Sequence, residues 1–186
     1  MAVYLDAPDS GSMFQNILEA DINIYAVSSA SASEDSYASY CAPYNVVNDV
    51  PMLTCLGDRF STGWIEDAEQ SNMATKTLYD EFVIDQQECI TQSVLQWGQV
   101  SMQSEVLGNF MSGNVDSWWK NLKHNFKAKA KKVLKAVIGK SAATDTNSIA
   151  SRDVKLHNLY SAVMADPSAA NQEALQAEID HRLYVD

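Results

Sequence analysis

The stretch that decides the fold is Val3-Tyr-Leu-Asp-Ala-Pro-Asp-Ser-Gly-Ser-Met-Phe14. Its first residues, Val3–Asp6, form a short apolar run that is typical of a buried strand. The run leads into a tight Asp-Ser-Gly-Ser turn, and a helix-compatible segment follows. A catalytic nucleophile is often mounted where a strand ends in such a turn. The stretch therefore predicts an α/β protein with functional groups at this strand end.

Strand-like and helix-like segments alternate through the first 113 residues. Ile22–Ser28 is a second apolar run, and Met13–Leu18 between the two runs reads as a short crossover helix. Such alternation favours an α/β layer architecture with a mostly parallel sheet. The other segments are helices at Phe60–Ala68 and at Thr75–Glu88, with Thr75 as the N-cap, a strand at Val94–Trp97, and Val100–Met111, which fits either state.

The charge of the chain is strongly asymmetric. The net charge is −11, yet one segment without acidic residues carries eight of the 13 basic side chains: Lys120, Lys123, Lys127, Lys129, Lys131, Lys132, Lys135 and Lys140. Apolar residues recur there at three- and four-residue steps, which predicts a basic amphipathic helix over 114–140. Two interpretations stay open. The helix docks on the acidic body, including Glu66, Asp67 and Glu69, or it binds an anionic membrane with Trp118 and Trp119. A nucleic-acid partner is not expected, because the helix lacks arginine and a recognisable binding module.

The last segment, 141–186, begins as a small polar linker and continues as two helices. Ser151 is predicted to cap the first helix, with Asp153 in its first turn, and Pro167 to open the second. Apolar residues repeat on one face of each helix, which predicts an αα-hairpin.

Cysteine usage and hydropathy exclude several classes. Cys41, Cys55 and Cys89 are odd in number, widely spaced and without a CxxC pair, so we expect buried thiols rather than disulfides or a zinc site. We expect no metal and no cofactor. No apolar run is long enough to span a bilayer, and no signal peptide is visible.

Several motifs, in one collinear order, resemble the legumain-type cysteine peptidases of family C13. Asp6-Ala-Pro-Asp-Ser-Gly-Ser-Met-Phe14 is similar to the family's Glu-Ala-Cys-Glu-Ser-Gly-Ser-Met-Phe. Glu34-Asp-Ser-Tyr37 resembles its Glu-Ser-Ser-Tyr, and the most specific match is Leu56-Gly-Asp…Trp64-Ile-Glu-Asp67. Further matches are Asn23-Ile-Tyr-Ala26, Lys76-Thr-Leu78, Ser93-Val-Leu-Gln-Trp-Gly98, Ser151-Arg-Asp153 and the closing His181-Arg-Leu-Tyr-Val-Asp186, the last two being similar to activation-peptide helices.

The resemblance implies a caspase-like three-layer sandwich, of which this chain matches the C-terminal half, followed by a helical extension. It implies a partial peptidase domain at 1–113 and an activation-peptide-like helical hairpin at 141–186, whereas the basic helix predicted at 114–140 lies outside the family pattern. Half of such a sheet leaves its first strand unpaired, so we expect self-association or pairing with the missing N-terminal half.

The resemblance also assigns functional residues. Asp35, Ser36 and Asp58 are expected to line the S1 pocket, which receives the substrate's Asn side chain. Pro8 stands at the nucleophile position, with Asp9 beside it, and the family's catalytic His lies in the half that is not matched. His124, His157 and His181 all fall in the basic or C-terminal helices. In the family a segment after the peptidase core covers the active site until acidification, and Asn147 is the candidate for the residue it places near S1.

The expected function is therefore that of an asparaginyl endopeptidase in a truncated, inactive form that binds peptide substrate or its own pro-segment. The alternatives are a non-catalytic binding or regulatory module, or a membrane-active helix on a degenerate scaffold. The resemblance places the protein in the lysosome, the vacuole or the secretory pathway.

Overall fold

A computed structural model of the protein describes residues 1–111 and 148–185. The predicted basic helix at 114–140 and Asn147 lie outside these residues. The strands are Ala2–Leu5 (β1), Tyr25–Ser28 (β2), Tyr37–Ser39 (β3), Val46–Val47 (β4), Val50–Pro51 (β5), Gly57–Asp58 (β6), Leu95–Gly98 (β7) and Ile149–Ala150 (β8). The α-helices are Arg59–Gln70 (α1), Leu78–Glu88 (α2), Gly108–Met111 (α3), Val154–Ala165 (α4) and Ala169–Val185 (α5).

The main sheet has the order β1-β2-β7. Strand β2 is central and all four of its residues are buried, which explains its continuous apolar sequence. It pairs parallel to β1, with Ala2 opposite Tyr25, and antiparallel to β7, with Tyr25 opposite Gly98. The α/β class is confirmed, whereas the expectation of a mostly parallel sheet holds for only one of these two pairings. Among the described residues the outer edge of β1 pairs with no strand.

Helices α1 and α2 pack on each other and supply the core. Tyr25 and Val27 from β2 form one buried cluster with Phe60 of α1, Leu78 of α2 and Leu107. Burying side chains of this size contributes about 1.5–3 kcal/mol each. The cluster fixes α1 against the carboxyl ends of β1 and β2, where the candidate site lies.

A second, smaller sheet has the order β6-β3-β8, with both pairings antiparallel. The loop that joins β3 to β6 carries the β4–β5 hairpin and is closed by a disulfide between Cys41 and Cys55. The expectation of free thiols is therefore wrong for these two residues, because the antiparallel pairing of β3 and β6 brings both ends of the loop together. It is correct for Cys89, a buried free thiol.

Three local predictions need correction. Helix α2 begins after Thr77, not Thr75, because Thr77 and Asp80 form a reciprocal capping box. The segment predicted as a crossover helix, Met13–Leu18, is not helical: a short 3₁₀ helix, Ser10–Met13, ends at its first residue and turns follow. Ser151 does not cap α4. It lies in a 3₁₀ helix, Ser151–Asp153, and its side chain bonds elsewhere.

Helices α4 and α5 form the predicted αα-hairpin and are tied by ion pairs. Lys155 on α4 pairs with Glu178 on α5 at 2.5 Å, and Arg182 reaches back to Asp153 at 2.6 Å. Of the helices described here, none is long and apolar enough to cross a membrane.

Two carboxyl groups are buried between α2 and β1. Glu81 and Asp85 are both 0% exposed, and the Tyr4 hydroxyl donates a hydrogen bond to Glu81. Neither oxygen of Asp85 has a hydrogen-bond partner among the described residues. Burial, reinforced by the neighbouring Glu81, raises the pKa of Asp85 to about 9, and burial raises the pKa of Glu81 to about 7. This pair of buried carboxyl groups was not identified from the sequence.

Candidate functional site

The turn after β1 is fixed against the end of β2. Asp9 has φ 57°, in the left-handed region, and the Gly11 amide donates to the carbonyl of Ala30 at 3.0 Å. A Cβ on Gly11 would lie 2.8 Å from the carbonyl carbon of Ser31, so this close approach requires glycine. The Ser10 hydroxyl accepts a hydrogen bond from the Ala30 amide at 3.0 Å. The turn thus holds residue 8 rigidly at the strand end, as predicted for a nucleophile mount, but the residue is Pro8.

Two carboxylates, Asp6 and Asp58, lie near the start of α1. Asp58 is at the N-cap position but makes no side-chain capping bond. Asp6 does so instead, because its Oδ2 accepts from the amide and the hydroxyl of Ser61 at 3.1 and 2.6 Å. This division leaves the Asp58 carboxylate available to other partners.

The segment 148–152 lies along β3 as an added strand. Ile149 and Ala150 pair antiparallel with Ala38 and Tyr37, and the Ser151 amide donates to the carbonyl of Ser36 at 2.9 Å. Main-chain pairing of this kind is how many proteins hold an extended peptide at a sheet edge.

Ser151 enters the pair formed by Ser36 and Asp58. Its hydroxyl accepts from Ser36 Oγ at 3.0 Å and donates to Asp58 Oδ1 at 3.2 Å. Burial, and then the charge of nearby Asp6, raise the pKa of Asp58, while the Ser151 hydrogen bond lowers it. Asp6 Oδ1 is buried and has no hydrogen-bond partner among the described residues. The carboxylate oxygens of the site can therefore accept more hydrogen bonds than the one that the Ser151 hydroxyl donates.

The next residue, Arg152, bridges the pair formed by Asp9 and Asp35. Its Nη2 donates to Asp9 Oδ2 at 2.5 Å, and its Nε donates to Asp35 Oδ1 at 2.9 Å. The carbonyl of Arg152 accepts from Arg182 Nη2 at 2.7 Å, which links this contact to the helical hairpin.

The structure thus divides the residues predicted for the S1 pocket. It brings Ser36 and Asp58 together on one hydroxyl, whereas Asp35 joins Asp9 on a guanidinium. Sequence reasoning missed Asp6, although it directly follows β1 and lies two residues before Pro8, and gave no pocket contact to Ser151 or Arg152. Their Ser-Arg-Asp run was recognised as a motif, but its register on β3 depends on pairing that no local pattern encodes.

The catalytic groups of a cysteine peptidase are a thiolate and an adjacent histidine. Pro8 offers no reactive atom, and burial raises the pKa of the Cys89 thiol to about 12. His157 and His181 lie on α4 and α5, and His157 Nε2 is buried without a hydrogen-bond partner among the described residues. Within 1–111 and 148–185, no three His, Cys, Asp or Glu side chains are grouped so as to hold a metal ion. Among the described residues, the strand end at Pro8 therefore carries no thiol.

Curated proteins similar to the chain include ones named hemoglobinase, vacuolar-processing enzyme and legumain. It is 28% identical to a hemoglobinase of Schistosoma mansoni over 175 residues, which are 94% of this chain and 35% of the relative. It is 38% identical to the vacuolar-processing enzyme beta-isozyme of Arabidopsis thaliana and 37% identical to the legumain of Canavalia ensiformis. Each of these two matches covers 82 residues, 44% of this chain and 17% of the relative. The chain thus spans about a third or less of the length of these relatives.

A family model identifies the family of the chain. The model described as the peptidase C13 family matches residues 1–114, which include the turn at Pro8 and the Ser36, Asp35 and Asp58 positions. That match extends over more than half of the chain. The chain therefore belongs to the peptidase C13 family.

Proposed function

We propose that this chain binds peptides in the substrate cleft of a legumain-like cysteine endopeptidase without hydrolysing them, and that residues 148–152 occupy this cleft as an internal pro-segment. The observation that carries the proposal is the placement of Ser151, which pairs through its main chain with Ser36 and through its hydroxyl with Asp58. A substrate residue recognised by this pair would need the same two contacts.

The chemistry of the pair favours an amide side chain. An Asn side chain carries two N–H donors and one acceptor. Asp58 and the unpartnered Asp6 Oδ1 supply acceptors, and the Ser36 hydroxyl supplies a donor. An Asn side chain could therefore make more hydrogen bonds at this site than the Ser151 hydroxyl does. This supports recognition of Asn, with Ser151 as a weaker ligand that the chain itself supplies.

Pro8 supports the absence of hydrolysis. A peptidase of this class acts through a covalent intermediate on a thiol or hydroxyl, and proline cannot form one. We propose that Ser36 and Asp58 act in recognition, that Asp9 and Asp35 hold the pro-segment, and that residue 8 has no chemical function.

The proposed location is an acidic vacuolar or lysosomal compartment reached through the secretory pathway. The vacuolar-processing enzymes among the relatives support the compartment. The disulfide between Cys41 and Cys55 supports the route, because such bonds form and persist in oxidising compartments.

The test uses the full chain with Arg152→Ala, which loosens the internal segment, and a fluorescent peptide containing Ile-Ala-Asn. We expect saturable binding by fluorescence anisotropy, and no cleavage of the peptide by mass spectrometry. Adding Asp58→Ala should weaken binding about tenfold, because it removes a charged hydrogen-bond acceptor. Cleavage after Asn would refute the non-catalytic assignment, and binding unaffected by Asp58→Ala would refute the site.

A further inference from the structure

The pair formed by Asp9 and Asp35 is a separate binding position beside the Ser36–Asp58 pair. Arg152 spans it with two different nitrogens, Nη2 to Asp9 and Nε to Asp35. A guanidinium offers such a fork of donors, whereas an ammonium is a single point charge. The geometry therefore suits arginine better than lysine, and either better than a neutral side chain.

The loops that carry the two carboxylates are tied to each other. The Asp9 amide donates to the carbonyl of Glu34 at 2.8 Å, one residue before Asp35. The Glu34 carboxylate accepts in turn from the amides of Ser31 and Ser93 at 3.2 and 3.1 Å. These hydrogen bonds join the two loops without involving Arg152.

The register on β3 fixes which ligand residue meets this pair. A peptide that runs along β3 like residues 149–151, with one side chain between Ser36 and Asp58, directs its next residue to Asp9 and Asp35. Asp35 stands where the family pattern quoted above has Ser, so half of the pair is a departure of this chain from that pattern.

We infer that Asp9 and Asp35 form a specificity subsite for an Arg or Lys side chain that directly follows the residue held by Ser36 and Asp58. The ligands of the cleft are then peptides in which a small polar or amide residue precedes a basic one. This inference rests on the proposed peptide-binding function and narrows its ligand class.

The expected selectivity is moderate. Asp9, Asp35 and Arg152 are 43%, 42% and 58% exposed, so solvent screens both contacts. Exposed ion pairs of this kind are weak, and two of them correspond to a preference of roughly tenfold at low salt.

The experiment compares three fluorescent peptides, Ile-Ala-Asn-Arg-Asp-Val and the same sequence with Lys or Ala in place of Arg, on the full chain with Arg152→Ala. The internal segment competes equally with all three, so their affinity ratios are unaffected by it. We expect the Arg peptide to bind roughly tenfold more tightly than the Ala peptide, with Lys between them. Adding Asp35→Ser should reduce the Arg-to-Ala ratio to about threefold. Glu69→Ser, which removes the same charge from an exposed position on α1, should leave the ratio unchanged.

Two other sets of results would contradict either the cation subsite or peptide binding itself. Equal affinities for the Arg and Ala peptides, or a ratio that Asp35→Ser leaves unchanged, overturn the cation subsite while peptide binding stands. Absence of binding by all three peptides overturns the proposed function and this inference with it.

Discussion

The Ser151 hydroxyl donates a hydrogen bond to Asp58 across 93 positions of the sequence, over 3.2 Å. Its main-chain amide at the same time donates to Ser36 at 2.9 Å. A residue after the family-matched region is thus held by two residues that the family resemblance assigns to substrate recognition. Because the Ser151 amide proton takes part in this contact, its exchange with solvent can be used to measure how far the segment occupies the cleft.

Hydrogen exchange of the Ser151 amide should report release of the segment. Arg152→Ala removes both contacts to Asp9 and Asp35, so we expect exchange at Ser151 to accelerate roughly tenfold, as two partly screened ion pairs imply. Lys155→Ala removes a cation that pairs with Glu178 and, among the described residues, does not pair with Asp9 or Asp35; it is the matched control and should have little effect. Unchanged exchange in Arg152→Ala would show that the guanidinium does not hold the segment.

Replacing Pro8 with Cys should not create a peptidase. The variant gains a thiol at the strand end, and we expect it to react with iodoacetamide in a mass assay. A general base must lie within hydrogen-bond reach of the nucleophile, and the imidazoles of the described residues lie on the α4–α5 hairpin. Asn-specific turnover by this 186-residue variant would contradict the prediction and would imply a base that reaches residue 8.

The disulfide between Cys41 and Cys55 should stabilise the sheet that carries Asp58. It closes a loop with a sequence separation of 14, for which the loop-entropy relation gives about 3 kcal/mol. We expect the double variant Cys41→Ser, Cys55→Ser to lose this free energy of unfolding in a urea titration. Reduction of the wild type should give the same loss, and Cys89→Ser, which keeps the bond between Cys41 and Cys55, should be as sensitive to reductant as the wild type. Equal stability of reduced and oxidised protein would rule out a stabilising bond.

The sequence predicted the features that depend on neighbouring residues or that follow a known motif. The strand at β2, helix α1, the αα-hairpin and the turn around Gly11 all have short-range signals in periodicity, apolar runs or turn residues. The disulfide, the antiparallel placement of β7 and the strand β8 depend on which distant segments pair, and no window of sequence encodes that choice. For the same reason Ser36 and Asp58 could be grouped by motif, but Ser151 could not be placed between them.

The N-cap of α2 is Thr77 and not Thr75, although either threonine could be the cap in the sequence. Thr77→Ala removes the half of the capping box in which the Thr77 hydroxyl accepts from the Asp80 amide and leaves the half donated by the Thr77 amide, so we expect a loss of about 1 kcal/mol in the free energy of unfolding. Thr75→Ala removes only a hydrogen bond from its hydroxyl to the carbonyl of Asn72 and should cost less. Chemical denaturation of both variants measures the difference, and a larger loss for Thr75→Ala would favour the earlier helix start.

The buried carboxyls Glu81 and Asp85 should make the fold more stable in acid. Burial raises their pKa values to about 7 and about 9, above the values near 4 of an unfolded chain. The native state therefore binds protons that the unfolded state releases, so the contribution is fully present below about pH 4 and is lost as the pH rises through 7 towards 9. An acid-stabilised fold agrees with the acidic compartment proposed above.

Thermal unfolding between pH 5 and pH 8 tests this linkage. We expect the Tm to fall by roughly 5 °C over that range, which corresponds to about 2 kcal/mol for a chain of this size. Asp85→Asn keeps the shape and stays neutral, so it should flatten the dependence, because the negative charge that opposes burial at high pH can no longer form. Glu178→Gln is the matched control: its ion pairs with Lys155 and Arg182 lower the pKa of Glu178, so this group stays charged between pH 5 and pH 8 and its loss should leave the dependence unchanged. A Tm that rises from pH 5 to pH 8, or a dependence that Asp85→Asn leaves intact, would show that the buried pair does not set the acid stability of this fold.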